Sequence, residues 1–215
     1  MLSDFYIRGC YDTLSGYGKS RLTGKRGRAM RYGIVEYAHH FIKEHVQEGD
    51  ICIDATAGNG NDTGFLCELV GESGHVIAMD IQSMAVENTK ALLKAKKLEE
   101  RAEVVLASHV TMEQYAKEGS VACVVFNLGY LPGGDHNLAT KGNTSIEAME
   151  AALRLLKKNG LLSVTIYSGG DSGFEEKEEV LRWLKSLDSK RYLVITSEYY
   201  NRPNNPPMPV QVIKL

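Results

Sequence analysis

The run Ile51-Cys-Ile-Asp-Ala-Thr-Ala-Gly-Asn-Gly-Asn-Asp62 constrains the fold more than any other stretch of the chain. An apolar segment, Ile51 to Ala55, carries Asp54 near its end, passes Gly58 and Gly60 one residue apart, and opens into a helical pattern from Asp62. That order predicts a strand, a tight turn and a helix N-terminus. Gly58 and Gly60 can take positive φ and let a ligand approach the backbone where a side chain would block it. The first N–H groups of the following helix face the same point. The turn is therefore expected to hold a ligand.

The residues around the turn narrow that ligand. The dinucleotide fingerprint G-x-G-x-x-G requires a third glycine at position 63. Thr63 stands there instead, with Gly64 one place late, and Asp54, Asn59, Asn61 and Asp62 surround the turn. Carboxylates repel a pyrophosphate and attract an ammonium or sulfonium. S-adenosylmethionine (SAM) is accordingly the expected cofactor, ahead of NAD(P).

The rest of the chain supplies the fold that carries the turn. Ile34, Val35, Ala38, Phe41, Ile42, His45 and Val46 recur at helical spacing before Gly49, predicting a helix that covers one edge of a sheet. Helices are further expected over 63–70, closed by Gly71, over 83–97 with Ser83 as N-cap, over 145–158 and over 175–187. Apolar runs at 51–55, 75–80, 103–107, 121–126 and 161–167 alternate with those helices, the signature of a parallel sheet covered on both faces. Runs at 192–199 and 210–215 have no helix between them and should form an antiparallel hairpin. The expected fold is thus α/β and Rossmann-like, with a seven-stranded, mostly parallel sheet, a C-terminal antiparallel hairpin and helices on both faces. A SAM-dependent methyltransferase sheet has this form.

Length and composition set the outer bounds. A chain of 215 residues, 43% hydrophobic and 24% charged, suits one soluble domain. No apolar run approaches the roughly 20 residues of a membrane span, and no signal peptide is visible, so a cytoplasmic protein without a membrane partner is expected. Cys10, Cys52, Cys67 and Cys123 lack C-x-x-C spacing and read as small buried hydrophobes, not as metal ligands or disulfides. Residues 1–31 carry seven basic against two acidic side chains, although the whole chain is at −2. Residues 1–29 read as a basic extension, flexible on composition, with an RNA-contacting arm as the alternative; residues 30–215 read as the domain. A homodimer is compatible with such a chain.

In open α/β sheets, ligands bind beyond the carboxyl ends of the strands, and the polar candidates fall there. Asp80 closes the second strand, where an acid can accept both ribose hydroxyls, and Gln82 can hold the same ribose or the adenine edge. Ser108 and His109 follow the third strand, on the adenine side. Asn127-Leu-Gly-Tyr130 follows the fourth and resembles the Asn-Pro-Pro-Tyr type of motif of methyltransferases that modify nitrogen. In that arrangement an Asn carbonyl and backbone oxygens accept hydrogen bonds from an amine while the aromatic ring stacks on a base, and their contribution is chiefly positioning.

Asp-Ala-Thr-Ala-Gly-Asn-Gly-Asn-Asp-Thr (54–63), Met-Asp-Ile-Gln (79–82), Ser-His (108–109), Asn-Leu-Gly-Tyr-Leu-Pro-Gly-Gly-Asp (127–135) and Asn-Asn-Pro-Pro (204–207) together resemble the group long called putative rRNA methylases. Its MnmM-type members methylate the aminomethyl group of a modified wobble uridine in tRNA. The resemblance runs from about Met30 to the end. It implies a class I methyltransferase fold, SAM as cofactor, no metal, and a tRNA anticodon stem-loop as partner. Carried over, it places Asp54, Gly58, Asn59, Gly60, Asn61, Asp62, Asp80, Gln82, Ser108, His109 and Asn127 around the cofactor, and Asn127, Tyr130 and Asp135 in catalysis. Leu128, Gly129, Tyr130, Gly133, Gly134, His136, Tyr167, Asn201, Asn204 and Asn205 fall to the substrate, with Arg202 beside them. An alkylammonium must lose a proton before it attacks a methyl group; Asp135, His136, Asp62, Tyr167 and solvent are the possible acceptors. Methylation of an rRNA base is the alternative in the same class, and an NAD(P) oxidoreductase or other nucleotide-binding protein the alternative outside it.

Overall fold

The computed structural model describes residues 33–128, 142–167, 173–203 and 206–215. The basic extension at 1–29 and Cys10 lie outside them. Strands β1 (Ile51–Asp54), β2 (His75–Asp80), β3 (Ala102–Leu106), β4 (Val121–Leu128), β5 (Leu156–Ile166), β6 (Tyr192–Thr196) and β7 (Met208–Lys214) form one sheet in the order β3-β2-β1-β4-β5-β7-β6. The first five pair in parallel. The C-terminal pair forms the expected antiparallel hairpin, and β7 enters between β5 and β6, antiparallel to both. Of the seven strands β7 is thus the reversed one, while β6 runs with the parallel set.

Both faces are covered, as the unbroken apolar runs require. Along β4, Val124, Phe126 and Leu128 join a core with Met149 and Leu155 of one helix and Val180 and Leu184 of another. Cys123 and Val125 point to the opposite core, with Ile42, Leu66, Val70 and Leu93. Alternate residues of a strand face opposite sides, so a strand buried on both faces has no polar positions to alternate. Cys52, Cys67 and Cys123 are free and buried in the second core. Burial pushes all three thiols up, Cys67 to about 11, and they pack as hydrophobes.

Helix α1 (Ile34–His45) buries Ala38 and Ile42, with Val46 just beyond its end. It lies against β4, β5 and β7, not over one edge of the sheet. The region beyond β5 is taken by β7 and β6, and the apolar stripe of α1 finds its partners at the centre instead. Helix α2 (Asn61–Val70) closes at Gly71 with φ 68, as expected. Helix α3 (Ser83–Lys96) has Gln82, not Ser83, at its N-cap and no side-chain cap; its start is tied by Asp80 Oδ1, which accepts the Gln82 backbone N–H at 2.9 Å.

Helix α4 (Gly142–Leu155) stops three residues short of the expected 158 because Leu156 pairs with Val121 in β5. Lys214 Nζ donates to the carbonyls of Leu153 at 2.8 Å and Leu156 at 2.7 Å, placing a cation at the helix end. The register then skips from Leu156 to Leu161. A Cβ on Gly160 would lie 2.8 Å from the Lys157 carbonyl and 3.1 Å from that of Val121, so the skip needs glycine. Helix α5 (Gly173–Ser186) follows β5. Strand β6 ends at Thr196, short of the expected Tyr199, and β7 starts two residues early at Met208. Among the described residues no helix is long and apolar enough to cross a membrane.

One side chain opposes this packing. Gln211, central in β7, is fully buried, and neither its Oε1 nor its Nε2 has a partner. A buried polar group left unsatisfied costs about 1–3 kcal/mol. Gln211→Leu is expected to raise the free energy of unfolding by about 1 kcal/mol or more, measured by chemical denaturation; an equal or lower stability would mean that the amide is satisfied in solution.

Candidate active site

The crossovers from β1 and β4 leave on opposite sides, toward β2 and β5, so a crevice opens between their carboxyl ends. The Gly58–Gly60 turn is built across it. Ala55 N–H donates to the Val125 carbonyl and Ala57 N–H to that of Met79, each at 2.9 Å, anchoring the turn to β4 on one side and β2 on the other. Gly58 and Gly60 both take positive φ, 54° and 78°. Gly60 has a second reason to be glycine: its Cβ would fall 2.9 Å from the Cα of Thr89 on α3.

Three carboxylates converge on this crevice, and the structure separates their roles. Asp54 is fully buried beneath the turn. Its Oδ2 accepts the Thr63 hydroxyl at 2.6 Å and its Oδ1 the Thr56 N–H at 3.2 Å. Burial, then repulsion from Asp62, pushes its carboxyl up to about 7 against those two hydrogen bonds. Asp80 is half-buried and open to the crevice. Its Oδ2 accepts the Gly58 N–H at 3.0 Å and its Oδ1 that of Gln82, and each oxygen keeps a lone pair for a further donor.

Asp62, on the first turn of α2, is the hub of the site. Its Oδ1 accepts from His39 Nε2 on α1 and its Oδ2 from Asn127 Nδ2 on β4, both at 2.7 Å. Burial would raise this carboxyl, but the two hydrogen bonds and the His39 charge outweigh it and hold it below the usual range. Asn127 belongs to the strand itself, one residue before its end, and its backbone N–H donates to Thr56 Oγ1 at 2.8 Å. With one amide hydrogen on Asp62, Asn127 presents its carbonyl oxygen as the acceptor for a ligand.

The other expected residues surround these carboxylates. Asn59 is exposed and accepts from Asn88 Nδ2 of α3 at 3.0 Å, so its side chain leans toward that helix. Asn61 is exposed at the first position of α2, and Gln82 is half-buried at the cap of α3. Ser108 caps a short 3₁₀ helix (His109–Gln114). The His109 ring meets Phe126 edge-on at 5.7 Å, and burial pushes it down against a hydrogen bond to the Ala55 backbone. It braces the turn from behind.

The Leu128 side chain is buried in the core and its carbonyl accepts the Tyr167 N–H at 3.1 Å. Tyr167 stands exposed at the end of β5. Asn201 and Arg202 are exposed after β6. Gly129, Tyr130, Gly133, Gly134, Asp135, His136, Asn204 and Asn205 lie outside the described residues. Near β6 and β7 a cleft of about 320 Å³ is lined by Tyr37, Ser197, Glu198, Tyr199 and Pro209. Among the described residues no group of three or more His, Cys, Asp or Glu side chains could hold a metal.

His39, Thr56 and Thr63 were not marked by the sequence. Thr63 had a signal, since it fills the position where a dinucleotide turn needs glycine. His39 had none, because it reaches Asp62 from a separate helix 23 residues upstream.

The comparisons with known proteins accord with this geometry. The family model described as "Putative rRNA methylase" matches residues 76–213. A chloroplastic tRNA (mnm(5)s(2)U34)-methyltransferase of Arabidopsis thaliana is 36% identical over 214 residues, 94% of this chain and 74% of its own length. The structure of a "putative rRNA-methylase" from Clostridium thermocellum superimposes with a TM-score of 0.82 at 45% identity, over 84% of this chain and 97% of that one. That of a "putative methyltransferase" from Streptococcus mutans, in complex with SAH, gives 0.79 at 33% identity, over 86% and 100%.

Proposed function

The chain belongs to the family described as "Putative rRNA methylase", and from that premise we propose that it transfers a methyl group from SAM to the aminomethyl nitrogen of a modified wobble uridine in tRNA. It is a SAM-dependent methyltransferase of class I fold. Residues 30–215 form the catalytic domain in this reading, and 1–29 a basic extension.

The crevice fits SAM by its chemistry. The positive-φ turn carries no third glycine for a pyrophosphate, Asp62 is ionised beside it, and Asp80 offers lone pairs suited to ribose hydroxyls. Gly58, Gly60 and Asp62 would hold the methionine end, Asp80 and Gln82 the ribose, and Ser108 and His109 the adenine side. Bound there, SAM supplies an electrophilic methyl group on a cationic sulfur.

The observation that carries the acceptor assignment is the anchored amide of Asn127. A carbonyl fixed at the strand end accepts a hydrogen from an amine and turns its lone pair in one direction. Asp62 is a poor base for the departing proton, being held ionised by two donors. Asp54 is buried under Thr63. Of the described candidates Tyr167 remains, alongside Asp135, His136 and solvent. Asn201 and Arg202 would contact the RNA. The aminomethyl-uridine substrate is supported by the name of the Arabidopsis relative, a tRNA (mnm(5)s(2)U34)-methyltransferase, and by the likeness of the Asn127 stretch to nitrogen-methylating motifs.

Nucleoside mass spectrometry tests this reading. Protein and SAM are expected to convert aminomethyl-thiouridine to methylaminomethyl-thiouridine in tRNA from cells lacking the enzyme. Unchanged wobble uridine would overturn it. The family description favours rRNA as the second reading, and labelled methyl appearing in ribosomal subunits but not in tRNA would establish that instead.

A further inference from the structure

We propose that His39 is a positioning residue of the transfer, acting through Asp62 to fix which end of the Asn127 amide faces the acceptor amine. The proposal rests on the assignment of Asn127 as the group that receives that amine. An amide side chain has a donor end and an acceptor end, and a turn of about 180° about its last bond exchanges them. Only the carbonyl end can accept a hydrogen from an amine. Asp62 selects that end by binding the Asn127 Nδ2 at 2.7 Å.

A carboxylate on the first turn of a helix can itself rotate between rotamers, so Asp62 needs a second tether. His39 supplies it from another element, with Nε2–H donated to Oδ1 at 2.7 Å. The two side chains are only 21% and 17% exposed, which limits competition from water. The imidazole is fixed in turn. It stacks on Phe65 with centroids 3.6 Å apart and planes within 3°, and Lys43 Nζ stands 5.6 Å from the centroid of that phenyl ring. Phe65 follows Asp62 by three residues on α2 and so lies on the same helix face. A ring carried by α1 is thereby locked onto the helix whose carboxylate it holds. The order His39, Asp62, Asn127 joins α1, α2 and β4 with an acceptor-only carboxylate standing between two donors.

Stacking and hydrogen bonding are separable by substitution. His39→Phe keeps a ring over Phe65 and removes the donor; His39→Gln keeps a donor near the Nε2 position and removes the ring. If the histidine acts on Asn127, His39→Phe lowers kcat for tRNA methylation by about 10- to 100-fold with the Kd for SAM within about threefold. His39→Gln then restores most of the rate. In an Asn127→Ala background His39→Phe costs less than about twofold more, because the group it acts through is gone. Independently of any RNA, the Asn127 side-chain amide resonances of ¹⁵N-labelled protein shift in His39→Phe and return in His39→Gln, while the Gly58 and Gly60 backbone amides stay in place. Unmoved Asn127 resonances in a folded His39→Phe protein, or a full independent rate loss on top of Asn127→Ala, would overturn the proposal. A wild-type protein that methylates no tRNA refutes the substrate assignment, and the resonance comparison then decides the positioning role by itself.

Discussion

Asn127→Ala is expected to lower kcat for methyl transfer by about 10²–10³-fold while calorimetry finds SAM bound within about threefold of the wild-type affinity. Loss of the side chain leaves the anchors of the turn intact. Ala55 and Ala57 still bond to Val125 and Met79, and Gly58 still donates to Asp80. What disappears is the fixed carbonyl at the end of β4 and the donor on Asp62 Oδ2. In kinetic terms the substitution removes an interaction needed to orient the reacting nitrogen and not one that holds the cofactor, so kcat and kcat/KM for tRNA should fall together. If SAM binding is lost instead, with the fold intact by circular dichroism, Asn127 belongs to the cofactor's half of the site.

This division of labour was partly written in the chain. The strands were readable because Ile51–Asp54, His75–Asp80 and Val121–Leu128 are short apolar runs with a polar residue at or next to the end, and a parallel sheet puts such ends at one edge. Which way each end turns was not readable. Asp54 and Asp80 stand in equivalent sequence positions. One is sealed under Thr63 and the other opens to the crevice, a difference made by the neighbouring strands and the turn above them. Likewise Lys157 and Lys158 suit a helix, but pairing of Leu156 with Val121 is a long-range gain that local propensity cannot register. The insertion of β7 between β5 and β6 and the central seat of α1 are of the same kind. His39 and His40 are adjacent on that helix, and only its crossing over the sheet decides which of them meets Asp62.

The sealed position of Asp54 leads to a large effect on stability with pH. Its folded-state carboxyl is raised from 3.8 to about 7, by burial first and by Asp62 second. Between those two values the folded chain keeps a proton that the unfolded chain releases. Stability contributed by the protonated carboxyl is therefore fully present below about pH 4 and is lost as pH rises through 7. Asp62 has the opposite sign: its carboxyl lies below the usual range, so its contribution is present above about pH 4 and is lost as pH falls through its folded value. The two windows do not overlap, which lets Asp54 be read alone.

Asn at position 54 is a near-isostere of the protonated acid and can still accept the Thr56 N–H, while its amide can donate to the Thr63 hydroxyl. Asp54→Asn is then expected to match the wild type in urea denaturation at pH 4 and to exceed it at pH 8 by about 2–4 kcal/mol. Parallel stability curves for the two proteins from pH 4 to 8 would show that Asp54 does not titrate in that range. The charge that destabilises the chain at pH 8 lies beneath the turn that would hold a sulfonium. SAM, which carries a positive sulfur, should offset part of that cost by attraction across the turn, and SAH, which is neutral there, should not. The ratio of SAM to SAH affinity is accordingly expected to rise from pH 6 to 8 in the wild type and to stay level in Asp54→Asn, so that a residue buried beneath the turn sets how well methyl donor is told from product.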